Sequence, residues 1–273
     1  VLGSGGLSKS GAGTLTLSRT NTYTGTTAIN AGTLLVSGGS AIADTGLVTL
    51  ANVAGATFQL GSSETIGSLS GGGTTGGTVA LGANTLTVGD TTSTAFSGVI
   101  SGTGNVIKQG TGTLTLSGVS TYTGMTTVSA GTLRATTSAS ALGTGAASLV
   151  LSGGTLELAN DTGLSFSRNT SISVNTIIES DRLTAGAGVT HTLGTLSMGA
   201  QTLTLSKDAT VTSGTAGLTF GAVTLSATGG TFTADTGTLL TLGTVSGDTF
   251  GFTVGGAGNT TIGAIGTGIG TLT

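Results

Sequence analysis

The stretch Lys108-Gln-Gly-Thr-Gly-Thr-Leu-Thr-Leu-Ser117 decides the fold, because it repeats the earlier stretch Lys9-Ser-Gly-Ala-Gly-Thr-Leu-Thr-Leu-Ser18. The match continues downstream, where a Thr-Tyr-Thr-Gly sequence around Tyr23 returns around Tyr122 and an Ala-Gly-Thr-Leu sequence follows in both copies. The offset is 99 residues throughout. A fixed offset over about thirty residues indicates a duplicated structural unit, and such units usually work through an extended surface.

The composition favours ordered β structure. The chain has 273 residues, of which 53 are glycine, and it has no proline, cysteine or tryptophan. Charged residues make up 6% of the chain, well below the usual quarter. Disordered chains are rich in charge or proline and poor in β-branched residues, whereas this chain is rich in Thr, Val and Ile. The pattern therefore predicts short strands with glycine at the corners.

Charge and cysteine content exclude several classes of function. The net charge is −3 with seven Lys and Arg residues in all, which is too few for a phosphate-binding surface, so we expect no nucleic-acid partner. The lack of cysteine excludes thiol catalysis and cysteine-based zinc sites. No stretch of about 18 continuous apolar residues occurs, so we expect no membrane insertion by this segment.

The two repeat copies predict which side chains face the core. Side chains alternate between the faces of a strand, and Leu35 aligns with Arg134, whose charge belongs in water. The same alternation places Gln59 and Glu157 on the outer face. The side chains predicted to point inward are Leu34, Val36, Phe58, Leu60, Leu133, Ala135, Leu156 and Leu158, and those predicted to point outward are Leu35, Gln59, Arg134 and Glu157.

Strands of about five residues that recur every ~21 residues cannot bury an apolar face alone, and coiling solves this by stacking successive turns. The sequence therefore predicts an all-β fold, a right-handed parallel β-helix (β-solenoid), as a single solenoid over 1–273. A β-sandwich would show Asn-Gly or Asp-Gly hairpin signals, and neither dipeptide occurs. A propeller would show aromatic-rich blades, but aromatic residues make up only 3% of the chain.

The repeated pattern resembles the passenger-associated transport repeat of bacterial autotransporters, and residues 7–36 and 106–135 carry it. The resemblance implies a β-helical passenger that is secreted to the surface of a Gram-negative bacterium. It also implies an N-terminal signal and a C-terminal barrel. Neither is recognisable here, because Val1 does not begin a basic and apolar leader. We therefore expect an internal piece of a larger protein, attached to the outer membrane through a domain outside this chain.

Few residues are candidates for chemistry. His191, the only histidine, would have to serve any Ser-His-Asp triad, but it alternates with apolar neighbours and is interpreted as a packed residue. Paired carboxylates can hydrolyse glycosides, and six charges cluster between Glu157 and Arg182. These are Glu157, Asp161, Arg168, Glu179, Asp181 and Arg182. Because Phe166 is the only nearby aromatic, the cluster is interpreted as a solvated loop or corner that interrupts the solenoid.

Two weaker patterns remain. Gly255-Gly-Ala-Gly-Asn259 resembles part of a calcium-binding nonapeptide, but one copy predicts only a turn. Thr-x-Thr units could form outward threonine ladders suited to ice, although threonine is also a plain strand former. These units are Thr14/Thr16, Thr85/Thr87, Thr113/Thr115 and Thr202/Thr204. We predict no catalytic, cofactor-binding or metal-binding residue.

The sequence thus favours a structural or adhesive cell-surface segment, a rigid spacer or filament body without enzymatic activity. The alternatives are a polysaccharide-acting β-helix enzyme that uses the acidic cluster, and ice binding through threonine ladders. The expected partners are a host-surface or matrix ligand and other copies of the chain, joined laterally or end to end. End-to-end joining is expected because residues 268–273 remain strand-like without a polar cap.

Overall fold

A computed structural model describes residues 2–145, 147–227, 229–247, 249–266 and 270–273. Within these residues every regular element is a strand, and no helix is long and apolar enough to cross a membrane. The chain divides into two compact units, residues 1–133 with 140–147 and residues 134–139 with 148–273. The segment 268–273, expected to be strand-like, lies partly outside the described residues.

The first unit contains short strands separated by turns. They are β1 (Leu2–Gly3), β2 (Leu7–Lys9), β3 (Thr14–Leu17), β4 (Thr22–Tyr23), β5 (Thr27–Ile29), β6 (Thr33–Val36), β7 (Leu47–Leu50), β8 (Thr57–Leu60), β9 (Glu64–Ile66), β10 (Ser68–Gly71), β11 (Thr78–Ala80), β12 (Leu86–Val88), β13 (Thr94–Phe96), β14 (Val99–Ser101), β15 (Val106–Lys108), β16 (Thr113–Leu116) and β17 (Thr126–Val128). β18 (Thr132–Thr136) spans the boundary of this unit.

The second unit contains the remaining strands. They are β19 (Leu149–Leu151), β20 (Thr155–Ala159), β21 (Thr170–Ile172), β22 (Thr176–Asp181), β23 (Gly186–Ala187), β24 (Thr190–Thr192), β25 (Leu196–Met198), β26 (Thr202–Ser206), β27 (Val211–Ser213), β28 (Ala216–Phe220), β29 (Val223–Leu225), β30 (Gly230–Ala234), β31 (Thr238–Ser246), β32 (Phe252–Gly255) and β33 (Asn259–Ile265).

Three larger parallel sheets and the two-stranded parallel sheet β1-β4 form the wall of the described part of the first unit. The orders of the larger sheets are β2-β5-β7-β10-β13-β16 for sheet 1, β3-β6-β8-β11-β14 for sheet 2 and β9-β12-β15-β17 for sheet 3. Each strand pairs with the strand one turn later. The turn from Leu7 to its partner Thr27 is short, and the turn from Gly71 to its partner Phe96 is longer. The period predicted from the sequence lies between these two spacings.

The second unit is also wound in parallel, with longer turns. Its sheets contain β20-β22-β26-β30-β32 and β19-β21-β25-β29, and β31 pairs with β28, β29 and β33. Thr155 pairs with Ile177, which is close to the predicted spacing, whereas the turn from Leu203 to its partner Phe232 is distinctly longer. The predicted all-β parallel solenoid is confirmed, and the period expected from the repeat is too short for this unit. The single solenoid over 1–273 stays a prediction.

The predicted register is confirmed. All eight side chains expected to point inward are buried, from 0% exposure at Leu34 to 3% at Leu60. On the outer face Gln59 is exposed, and Leu35, Arg134 and Glu157 are partly exposed. Burying a Leu or Phe side chain contributes about 1.5–3 kcal/mol, so moving the register by one residue would forfeit this contribution at every turn.

The two repeat copies lie on different sheets of the first unit. β2 and β5, from the first copy, belong to sheet 1, but their counterparts β15 and β17 belong to sheet 3. Conversely, β3 belongs to sheet 2 and its counterpart β16 to sheet 1. The cause is that the offset between the copies is not a whole number of turns. The five pairings that lead from β2 along sheet 1 end at Thr113–Leu116, beyond the corresponding Lys108.

Candidate functional site

The lysine that begins each repeat copy is buried and bound by backbone carbonyls. Lys108 is 1% exposed, and its Nζ donates to the carbonyl oxygens of Gln109 at 2.6 Å, Gly110 at 2.9 Å and Ala130 at 3.2 Å. Lys9 likewise donates across one turn, to Ala31 at 2.9 Å. Burial lowers the pKa of Lys108 to about 8, although the negative charge of Asp90 acts to raise this pKa. Each lysine therefore ties one turn of the wall to the next.

The glycine of the Ala-Gly-Thr-Leu sequence is required beside this lysine. Gly131 has φ +62°, and a Cβ at this position would overlap the Gly110 carbonyl oxygen and lie 2.9 Å from Lys108 Nζ. Gly32 repeats the conformation in the first copy, with φ +66°. Side chains rarely adopt this left-handed conformation, so lysine and glycine form one packing unit.

A tyrosine–threonine pair is the second polar contact of each copy. The Tyr122 and Thr126 hydroxyl oxygens are 2.6 Å apart, and Thr126 donates to the Leu142 carbonyl at 3.0 Å. Because that carbonyl can only accept, Tyr122 donates its proton to Thr126. Tyr23 and Thr27 repeat the pair at 2.6 Å. These side chains are buried, so the most strongly repeated polar residues stabilise the wall.

An acidic cluster lies on the second unit. Glu157 on β20 pairs in register with Glu179 on β22, and Asp181 ends β22. One carboxylate oxygen each of Glu157, Asp181 and Asp208 lie within 4.8 Å of one another. Arg134 Nε lies 2.5 Å from Glu157 Oε1. The cluster thus brings four carboxylates together with one ion-paired guanidinium.

The centre of this cluster is Asp181, which has 0% exposure. Its Oδ1 accepts the backbone N–H of Asp208 at 2.6 Å, while its Oδ2 is buried with no hydrogen-bond donor in the described part of the chain. Burial raises the pKa of Asp181 to about 6, and the nearby charges of Asp208 and Glu157 add to this effect. Burial also raises the pKa of Glu157 and of Glu179.

Asp208 behaves differently because it is exposed. Its partial burial acts to raise the pKa of Asp208. The Thr210 hydroxyl and backbone N–H donate to Asp208 Oδ1 at 2.5 Å and 2.6 Å, and these hydrogen bonds lower the pKa overall. Asp208 is therefore the member of the cluster that holds its negative charge most readily. Sequence reasoning missed this residue, because the spacing from Asp181 to Asp208 exceeds the expected turn length.

The interpretation of the cluster as a solvated corner is wrong for its central members. Glu157 and Glu179 lie on paired strands and Asp181 is buried, so the solenoid continues through them. The interpretation holds for Asp161 and Arg182, which lie outside the strands. Asp161 accepts the N–H groups of the loop that follows β22, and Arg182 Nη2 lies 3.5 Å from Asp161 Oδ1. Arg168 is buried instead of solvated.

His191 is confirmed as a packed residue. It is fully buried, and its Nδ1 accepts the Leu164 N–H at 3.0 Å. The remaining proton is therefore on Nε2, which donates to the Asp181 backbone carbonyl at 3.0 Å. Because Nδ1 accepts an N–H, the ring is neutral, and burial, which lowers the pKa of His191, favours this form. Phe166, 6.2 Å away between ring centroids, is buried as well and offers no platform for a sugar.

The threonine units do not build a broad ladder in sheet 2. Thr14 continues across the neighbouring strands as Thr33 and Thr57, but Thr16 continues as Leu35 and then Gln59. One row of threonine therefore lies beside a mixed row. Within the segment 255–259, residues 256–258 form the bend between β32 and β33, as expected for a turn.

Comparisons with known proteins agree with the repeat analysis. The family model of the passenger-associated transport repeat matches residues 7–36 and 106–135. The chain is 46% identical over 137 residues to the adhesin BmaC autotransporter of Brucella suis biovar 1 (strain 1330). The match covers 49% of this chain but 4% of that relative. No solved structure matches the chain. The chain thus carries two passenger-associated transport repeats, and the predicted resemblance to autotransporter passengers is confirmed.

Proposed function

We propose that this chain is a rigid spacer or filament body within the adhesive passenger of an autotransporter-like protein. Its relative is named an adhesin, and the repeat motif is that of secreted passengers. In this proposal the segment lies at the bacterial surface, held to the outer membrane by a domain outside this chain. Its partners are a host-surface or matrix molecule and other copies of the chain.

The proposal rests on the location of the repeated polar side chains, which are buried in the wall. In both copies the buried lysine binds carbonyls of its own turn and of the next, and the buried tyrosine binds a buried threonine. The lysine contacts connect one turn to the next, and the lysine, tyrosine and threonine side chains are all buried and present no reactive group to solvent. The residues that the two copies share make contacts inside the wall. This supports a mechanical role, because each turn of a solenoid is stabilised by its neighbours.

The polysaccharide-acting alternative is not favoured by the acidic cluster. Asp181 is enclosed, Glu157 is ion-paired, and the nearby Phe166 is in the core. A glycosidase needs two carboxylates that reach the scissile bond. Of the four carboxylates, Glu179 and Asp208 remain partly or fully exposed without an ion pair among the described residues.

The experiment removes whole turns from the full-length surface protein. Ser68 pairs with Leu47, so deleting residues 47–67 lets Ser68 take the place of Leu47 and shortens the wall by one turn. Deleting residues 47–57 is the matched control, because it removes about half a turn and breaks the register. We expect the first variant to be displayed and to bind host cells, and the second to be degraded or retained.

A second experiment, which replaces the whole segment, distinguishes a spacer from a specific adhesive face. The segment is replaced by an unrelated β-solenoid with the same number of turns, and adhesion is measured on intact bacteria. A spacer retains adhesion after this exchange. Complete loss of adhesion in a variant that is still displayed at the normal level would refute the spacer role and locate the receptor-binding face here.

A further inference from the structure

We propose that Glu157, Asp181 and Asp208 form a binding site for a hard divalent cation, with Ca²⁺ as the ion that fits. One oxygen from each carboxylate lies within 4.8 Å of the other two. Ca²⁺ binds oxygen ligands at about 2.3–2.6 Å, so two ligands on opposite sides of the ion are about 4.6–5.2 Å apart. Mg²⁺ binds at about 2.0–2.1 Å, demands a more regular shell and gives up its water reluctantly, so a cluster of protein carboxylates suits Ca²⁺ better.

A second observation points into the same cluster. Asp181 is fully buried, and no described residue donates a hydrogen bond to its Oδ2. A buried carboxylate oxygen without a partner is destabilising, and a cation between the three carboxylates would supply the missing partner. Arg134 does not, since its ion pair in the described part of the chain is with Glu157.

Each of the three carboxylates has one oxygen already held by the protein. Asp181 Oδ1 accepts the Asp208 N–H, and Asp208 Oδ1 accepts the Thr210 N–H and hydroxyl. Glu157 Oε1 faces Arg134. These contacts orient the three side chains before a cation arrives. Such preorganisation favours binding.

The local charge also favours a cation. Glu157, Glu179, Asp181 and Asp208 influence one another electrostatically, and Arg134 is the basic group that acts on Glu157 and Asp208. With all four carboxylates ionised, one guanidinium leaves an excess of three negative charges. Asp208 is exposed, so an ion can enter from solvent and keep water molecules in its shell.

A shared proton is the competing explanation, because the pKa of Asp181 is raised to about 6. Protons and Ca²⁺ would compete for the same oxygen, so the two explanations differ in their pH dependence. Cation binding is strong at neutral pH and weak at acidic pH. A site that only shares a proton shows no response to cations at either pH.

The test titrates the purified, chelator-treated chain with CaCl₂ at about pH 7.5 and about 150 mM NaCl, by calorimetry and by thermal unfolding. For a site with the affinity of extracellular calcium modules we expect a Kd of about 0.1–1 mM and a rise in apparent melting temperature of about 3–8 °C at about 10 mM CaCl₂. MgCl₂ should give a smaller rise, and at about pH 5 the CaCl₂ effect should fall at least several-fold.

Variants assign the response to the site. Asp208→Asn should abolish the CaCl₂ effect while leaving the fold intact, because its side chain is exposed. Asp181→Asn should abolish it too and raise the melting temperature without metal. Asp235→Asn, an exposed carboxylate of the same unit, is the matched control and should respond like the unmodified chain. No heat and no shift, or an equal shift in Asp208→Asn, would overturn the proposal.

Discussion

Replacing Lys108 with methionine tests whether the repeated lysine ties consecutive turns together. Methionine keeps the length of the aliphatic chain and removes three hydrogen bonds from Nζ to carbonyl oxygens. Hydrogen bonds to a charged group contribute about 1.5–3 kcal/mol each, which sums to about 4–9 kcal/mol. Relief of desolvation opposes this loss. The displacement of the Lys108 pKa to about 8 corresponds to about 3 kcal/mol. We therefore expect a net destabilisation of about 1–6 kcal/mol.

The assay is urea unfolding followed by far-UV circular dichroism, with hydrogen exchange at the amides next to Ala130. Lys108→Met should lower the unfolding midpoint and speed exchange in the turn that contains Ala130. Arg19→Met is the control, because Arg19 is exposed and exposed substitutions usually change stability by less than about 0.5 kcal/mol. If Lys108→Met behaves like Arg19→Met, the buried lysine does not join the turns.

The pH dependence gives the same lysine an independent test. Its folded pKa of about 8 lies below the unfolded value, so between the two values the unfolded chain binds more protons and stability rises with pH. We expect a gain of about 2 kcal/mol between about pH 8 and pH 9.5. The gain should be absent in Lys108→Met. An equal gain in that variant would show that other groups cause it.

Further predictions concern the hydroxyl pair, the acidic cluster and the core. Tyr122→Phe should cost about 1 kcal/mol in urea unfolding, because Thr126 loses a buried donor; no change would show that this bond does not stabilise the fold. Without metal, stability should fall by about 2–3 kcal/mol as pH rises from about 4 to 7, since the Asp181 pKa is raised to about 6 in the folded state only, and Asp181→Asn should remove this slope. Phe58→Ala should cost about 3–5 kcal/mol, against less than about 0.5 for Gln59→Ala. No sugar release from glycans is expected; release that disappears in Glu179→Gln would favour the enzyme alternative.

The core could be predicted from the sequence because two independent signals agreed. The alternation of side chains predicted the inner and outer face of each strand. The alignment of the two copies tested this prediction, because Leu35 of the first copy aligns with the charged Arg134 of the second. Side-chain period and burial are local properties of a strand, so a short strand suffices to define them. The parallel stacking followed from the same local facts, since strands this short must share a core with the next turn.

The polar contacts could not be predicted in the same way. The repeated lysine was visible in the sequence at positions 9 and 108, but nothing local indicated that its amine binds carbonyls inside the wall. Asp208 joins Asp181 through a long turn in which Thr176 pairs with Leu203. Turn lengths vary within the second unit, and a contact between turns depends on this length. A constant period therefore predicts which residues face the core and fails to predict which polar residues meet.

The second repeat copy lies on other sheets because the length of the sequence repeat is not a whole number of solenoid turns. A duplicated stretch lengthens the wall, but its repeated side chains then lie on a different side of the solenoid. Successive duplications would therefore distribute any outward feature of the motif around the circumference instead of aligning it in a stripe. What both copies keep is the interior, because the aligned residues Leu34 and Leu133 are buried although they lie on different sheets. Growth by duplication is then compatible with outer faces that diverge freely.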